Sequence, residues 1–135
     1  MPNYRRYYLS GYAVFITVVT FNRDSWLRTP TSVELLLASM RKVKGIYPYG
    51  HLAHVILPDH FHWMFTPLNT ENFSRIVATV KREVSWRMKR RGLRNAKLWQ
   101  PRFYDHLIRN KMDFARHLDY IHFNQIGRAS CRERV

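Results

Sequence analysis

A chain of 135 residues fits one hydrophobic core, and its 46% hydrophobic and 15% aromatic content excludes a segment left disordered for want of apolar surface. Its 23 Lys and Arg against 9 Asp and Glu leave +14 before any histidine is protonated, a field whose natural partners are polyanions, nucleic acid ahead of an acidic membrane. A lone Cys131 excludes an internal disulfide framework and a multi-cysteine zinc site, and with no signal-like apolar run and no stretch near the ~18 apolar residues of a membrane span, a cytoplasmic protein is expected.

After a polar, tyrosine-rich start, Tyr12–Phe21 (YAVFITVVTF) has the β-branched and aromatic content of a buried central strand. Thr31 and Glu34, just after Pro30, have capping-box spacing, and Val33, Leu36, Leu37 and Met40 then mark one face of a helix that Gly45, Pro48 and Gly50 end. His51–Leu57 and His60–Pro67 are apolar-rich runs on either side of Pro58-Asp59, which predicts a hairpin with Asp59 shaping its turn. Asn69 or Thr70 is placed to cap a long helix from Asn72 to Arg91, with Phe73, Ile76, Val77, Val80, Val84 and Met88 as its apolar stripe and Gly92 as its C-terminal stop. Pro101 precedes a strand at Arg102–Arg109, and Lys111–Asn124 returns to helical periodicity. This order predicts an α+β, ferredoxin-like βαββαβ antiparallel sheet with two helices on one face and an additional C-terminal helix. The scaffold serves many functions, so the side chains must decide.

His60-Phe61-His62 is the sharpest local feature. Side chains alternate across a strand, so the histidines project from one face roughly 6 to 7 Å apart and can converge on one metal ion, while Phe61 points the other way. Imidazole suits several divalent first-row metals and Mg²⁺ prefers oxygen, which leaves the ion open. On the last helix Phe114, Leu118 and Ile121 form a core face, beside a polar stripe of Asp113, His117, Tyr120 and Asn124. Taken singly each has an ordinary explanation: partly buried histidines, a packed tyrosine with a wet hydroxyl, a C-capping asparagine.

On the long helix Arg75, Thr79, Arg82, Trp86 and Lys89 or Arg90 lie away from the apolar stripe, a tryptophan among cations that suits unpaired bases. Packing of Trp86 on the N-terminal segment is the competing reading. Arg5 and Arg6, beside Tyr4, Tyr7 and Tyr8, form a second basic patch. Trp99, Phe103 and Tyr104 are expected in core or sheet packing.

The segments YRR near the start, FITVVTFNR, HVILPDHFHWMF, LWQPRFYDHLIR and DYIHFN, running from Tyr4 to Asn124, resemble the REP-associated tyrosine transposases, members of the HUH group. The resemblance implies that His60 and His62 bind a divalent metal, Mg²⁺ or Mn²⁺, that Asn124 completes the metal site, and that Tyr120 is the catalytic nucleophile. The implied reaction is cleavage and rejoining of single-stranded DNA at hairpin-flanked, REP-like sequences through a 5′-phosphotyrosine. His117, one turn before Tyr120, is by its position a candidate proton acceptor, with an ordinary surface histidine as the competing reading; Tyr104, which lacks a polar partner one helical turn away, ranks below Tyr120 as nucleophile. DNA contacts are then expected from Arg5, Arg6, Arg75, Arg82, Trp86 and Arg90, with no membrane partner and with monomer or homodimer left open. Two alternatives stand beside this: a non-catalytic DNA or RNA hairpin-binding module on the same fold, and a phosphodiesterase that activates water and leaves Tyr120 idle.

Ile126–Val135 reads IGRASCRERV, which resembles the translation of a short-read sequencing adapter. On that reading residues 1–125 are one C-terminally truncated catalytic domain, residues 126–135 are a non-native tail, and proline follows Asn124 in the natural chain.

Overall fold

The computed structural model describes residues 12–68, 72–94 and 96–127. Among them the chain forms β1 (Val14–Thr20), α1 (Pro30–Lys44), β2 (Tyr49–Leu57), β3 (His60–Pro67), α2 (Phe73–Arg90), β4 (Trp99–Leu107) and α3 (Lys111–Gly127), with single 3-10 turns at Phe21–Arg23 and Trp26–Arg28. The strands make one antiparallel sheet in the order β2-β3-β1-β4, the expected ferredoxin-like arrangement.

Alternation along the two central strands sorts their side chains. Val14, Ile16 and Val18 of β1 and Phe61, Trp63 and Phe65 of β3 are buried in the main core with the apolar stripes of α1 and α2. Phe15, Thr17, His60, His62 and Met64 take the opposite face, where α3 lays Ile121 and Phe114 against Val55, Met64 and Phe15. A one-residue slip of β3 would bury both histidines under α1 and α2, so the core fixes the register that exposes them to α3.

Both expected helix caps move. Thr29, not Thr31, is the N-cap of α1: its Oγ1 accepts from the Ser32 N–H at 3.2 Å, and Pro30 takes the first helical position, where a missing N–H costs nothing. Thr31 and Glu34 are therefore already inside the helix. Asn72 caps α2 by accepting from the Arg75 N–H at 3.1 Å, while Asn69 and Thr70 lie outside the described residues. Gly92 stops α2 as expected, its φ of 67° carrying the chain through the left-handed region while Leu93 N–H returns to the Met88 carbonyl at 3.0 Å.

The last strand is also displaced, starting at Trp99 and ending at Leu107, with Pro101 inside it. β4 is an edge strand, and its pairing with β1 shifts register between Val18 and Thr20, so a residue without an N–H is accommodated there. Trp99 packs edge-on against Trp26 and Phe61, and Phe103 lies against the same core. Tyr104 departs from expectation: it is 56% exposed, on the α3 face beside Thr17.

Candidate active site

Pairing with β1 sets His62 opposite Thr17 and His60 opposite Val19. His60 Nδ1 donates to Asp59 Oδ1 at 2.6 Å, and the other carboxylate oxygen accepts from Arg23 Nη1 at 3.0 Å. Burial alone would raise the Asp59 carboxyl, but hydrogen bonds from His60 and Arg23, and their charge, hold its pKa below the ordinary value. Asp59 therefore does more than turn the chain. A carboxylate can only accept, so Nδ1 of His60 carries the proton and Nε2 the lone pair.

His62 is built alike. Its Nδ1 lies 2.8 Å from Thr17 Oγ1, which can accept that proton, and its Nε2 is buried without a partner among the described residues. The residue is 5% exposed, and burial, reinforced by nearby His60, lowers its pKa to about 4. It is thus a neutral imidazole at physiological pH. The rings lie 4.9 Å apart. Metal-binding histidines characteristically have the far ring nitrogen held by a hydrogen-bonding partner, and here both far nitrogens are held while both Nε2 atoms are left for a ligand. The donor set fits a divalent cation.

α3 brings Tyr120 to this pair. Its ring stands edge-on to that of His62, with centroids 5.1 Å apart, and Phe15 supports both rings from β1. Tyr120 is 49% exposed, so its phenol is wet and accessible. A cleft of about 350 Å³ opens here, lined by Phe15, Thr17, His62, Arg116, His117 and Tyr120. Arg116 was not singled out from the sequence, although it stands one helical turn before Tyr120. Asn124 sits one turn beyond Tyr120, but its Nδ2 donates to the Tyr120 carbonyl at 3.0 Å.

Known proteins resemble this chain in sequence and in fold. The family described as "Transposase IS200 like" matches residues 8–124. This chain belongs to that family. It is 39% identical over 127 residues to the REP-associated tyrosine transposase of Escherichia coli (strain K12), an alignment covering 93% of this chain and 73% of that protein. A solved REP-associated tyrosine transposase bound to a REP hairpin superposes with a TM-score of 0.79 at 35% identity, covering 93% of this chain and 73% of that one. A crystal structure from Deinococcus radiodurans, 16% identical with a TM-score of 0.63 over 90% of this chain and 96% of its own, shares the fold.

Beside the tyrosine of this IS200-like transposase lies a cluster that sequence periodicity only half revealed. Asp113, 2% exposed, accepts from His106 Nε2 at 2.8 Å and from the Arg109 N–H at 3.0 Å, and its other oxygen lies 3.2 Å from His117 Nδ1. The His106 and His117 rings stack 4.6 Å apart. Burial alone would raise the Asp113 carboxyl, but the Arg109 N–H, the His106 hydrogen bond and the positive charge of the two histidines when they are protonated bring it to about 2. One ligand atom from each of these three residues lies within 4.8 Å of the others, so they too could hold a metal ion. Yet the two nitrogens nearest the carboxylate, His106 Nε2 and His117 Nδ1, are already spent on Asp113, unlike the Nε2 atoms of His60 and His62. His106 reaches the cluster because β4 pairs it with Phe15, a register invisible in the local sequence.

Arg75, Arg82 and Arg90 are carried by α2. Trp86 is 56% exposed, with the Arg90 guanidinium 5.2 Å from its ring centroid, so it is not a core residue. Arg82 Nη2 donates to Thr79 Oγ1 at 3.3 Å, and Arg75 sits 6.0 Å from the Tyr47 ring centroid. Between α2 and β4 a groove of about 870 Å³ is lined by Lys81, Arg82, Trp86, Lys97, Trp99 and Phe103 among others. Its lining combines cations with aromatic rings. Arg5 and Arg6 lie outside the described residues, and no described helix is long and apolar enough to cross a membrane.

Proposed function

We propose that this chain cuts and rejoins single-stranded DNA at hairpin-flanked, REP-like sequences, with Tyr120 as the attacking nucleophile and a divalent cation, Mg²⁺ or Mn²⁺, held by His60 and His62. The observation that carries this reading is the edge-on contact of the half-exposed Tyr120 ring with His62, whose ring lies 4.9 Å from that of His60 and whose Nε2 has no partner among the described residues. Asn124 Oδ1 is the third ligand in this reading, the amide nitrogen remaining on the helix. When bound, the cation supplies Lewis-acid polarisation of the scissile phosphate.

The chain's own residues supply the rest. Tyr120 attacks in line to form a 5′-phosphotyrosine and release a 3′-hydroxyl, so the energy of the broken phosphodiester is conserved and a second 3′-hydroxyl reverses the step. Arg116, lining the same cleft, adds fixed positive charge for the phosphate oxygens. Arg75, Arg82, Trp86 and Arg90, and Arg5 and Arg6 from the start of the chain, bind the flanking DNA, the arginines through phosphates and Trp86 by stacking. The hairpin as partner follows from the solved relative, which is bound to one. Residues 1–125 form the catalytic unit, acting in the cytoplasm.

Covalent trapping tests this directly. The full chain is incubated with Mn²⁺ and a labelled hairpin flanked by single strands. A covalent adduct that Tyr120→Phe abolishes is expected; binding without cleavage, or cleavage that survives Tyr120→Phe, rejects the reading.

A further inference from the structure

Nucleophilic attack requires that the Tyr120 phenol lose its proton, so the reaction needs a group to receive it. We infer that His117 is the group that receives it, with Asp113 holding the imidazole in the productive orientation and His106 locking Asp113 in place. This rests on the reading of Tyr120 as nucleophile and adds the route of its proton.

The geometry has the three parts of an activated nucleophile: the attacking group, a base beside it, and a third group that orients the base. His117 and Tyr120 are three residues apart on α3, adjacent on the helix surface, and both line the cleft that contains His62. His117 Nδ1 faces Asp113 twice, at 2.9 Å from its backbone carbonyl and 3.2 Å from Oδ1. Both are acceptors, so Nδ1 carries the proton and Nε2 the lone pair. Nε2 has no hydrogen-bond partner among the described residues, and the partly exposed ring lines the same cleft as Tyr120.

Asp113 is fitted to this task by its surroundings. It is fixed from four directions, by His106 Nε2, by the Arg109 N–H, by His117, and through its own N–H, which donates to Asn110 Oδ1 at 2.8 Å. A carboxylate that stays ionised beside an imidazole stabilises the imidazolium formed when the ring takes a proton. Phe15 packs against both imidazoles, 4.7 Å from the His117 ring and 5.3 Å from the His62 ring.

In the step, the Tyr120 O–H bond breaks and its proton passes to His117 Nε2. The freed phenolic electron pair forms the bond to phosphorus. The bond from phosphorus to the 3′ oxygen breaks, and that oxygen leaves with its electron pair and takes a proton from water. His117 then returns its proton to solvent, so none is gained or lost overall.

Chemical rescue separates this role from a structural one. Single-turnover cleavage of the labelled hairpin substrate is followed with Mn²⁺ for the full chain, for His117→Ala and for Tyr120→Phe, with and without added imidazole. The expected result for His117→Ala is a cleavage rate lowered by about 10² to 10³-fold with DNA affinity unchanged. Imidazole restores the rate at least in part, while the unmodified chain gains nothing and Tyr120→Phe stays inactive. Loss of DNA affinity in step with rate, a His117→Ala rate equal to that of the unmodified chain, or failure of imidazole to raise it overturns the assignment. An unmodified chain that forms no adduct at all removes the reading of Tyr120 and this inference together, whereas a normal His117→Ala rate with intact Tyr120 dependence removes this inference alone.

Discussion

His62 and Thr17 meet across the β3–β1 pairing, Nδ1 to Oγ1 at 2.8 Å, and this contact turns the free Nε2 of a buried imidazole toward the face that α3 covers. The matching clamp on His60 is Asp59, itself tied to Arg23. On the proposed reading of His60 and His62 as metal ligands, both clamps bear on how tightly a cation is held.

Asp59→Ala is expected to lower Mn²⁺ affinity by about 10 to 100-fold, the usual effect of removing the group that orients a metal-binding histidine, with little change in fold. Isothermal titration of the chelator-treated protein with Mn²⁺ measures it. An unchanged affinity would detach Asp59 from the metal site.

His60→Ala separates chemistry from binding. Cleavage is expected to vanish while most of the salt-dependent DNA affinity remains, because phosphate contacts rather than the cation dominate attraction to the strand. Fluorescence anisotropy alongside a cleavage assay reads both quantities, and equal loss of the two would contradict that division.

On α2, Arg82→Ala is expected to weaken binding and to reduce the slope of log K against log salt by ~0.7, the value for one phosphate contact on a single strand. Trp86→Ala is expected to cost ~1 to 3 kcal/mol of binding for a lost stacked base. Because Trp86 is 56% exposed, its removal should leave the thermal midpoint nearly unchanged, and an unfolded variant would return it to the core.

Arg116→Ala is expected to slow single-turnover cleavage by about 10²-fold at saturating DNA, since a fixed cation at the scissile phosphate acts chiefly as charge develops in the transition state. A rate equal to that of the unmodified chain would leave Arg116 as solvated charge.

Stability should fall in mild acid. His54 and His62 both have pKa values lowered by burial to about 4 from an ordinary 6.5, with His60 adding to the effect at His62. The unfolded chain therefore binds protons first, and the stability these neutral rings provide above pH 6.5 is lost as pH falls toward about 4. Asp113, at about 2, adds no loss until the pH falls below its ordinary 3.8. Urea midpoints of the chelator-treated protein at pH 7.5, 5.5 and 4.5 should decline in that order; a flat profile contradicts the buried, neutral assignment.

How far the sequence could be read depended on the range of the interactions involved. The β2–β3 hairpin was legible because alternation and Pro58-Asp59 are local, and the α2 stripe because its period is its own; all six residues of that stripe are buried. Caps were misplaced because Thr29, Thr31, Asn69, Thr70 and Asn72 all offer suitable oxygens within three residues, and only backbone geometry chooses among them. Asp59 was read as a turn residue because its bonds to Arg23 and His60 need the chain to double back first. His106 joining Asp113 and His117 depends on β4 pairing with β1, a long-range register for which no local pattern stands. Tyr104 followed the same logic in reverse: an aromatic in a strand reads as packing, but an edge strand leaves it open.

The most direct test of the account is peptide mapping of the trapped protein–DNA adduct by mass spectrometry. The account predicts a 5′-phosphonucleotide on the peptide containing Tyr120, and on that residue within it. Label on Tyr104 or any other residue, or cleavage with no covalent label, would contradict it.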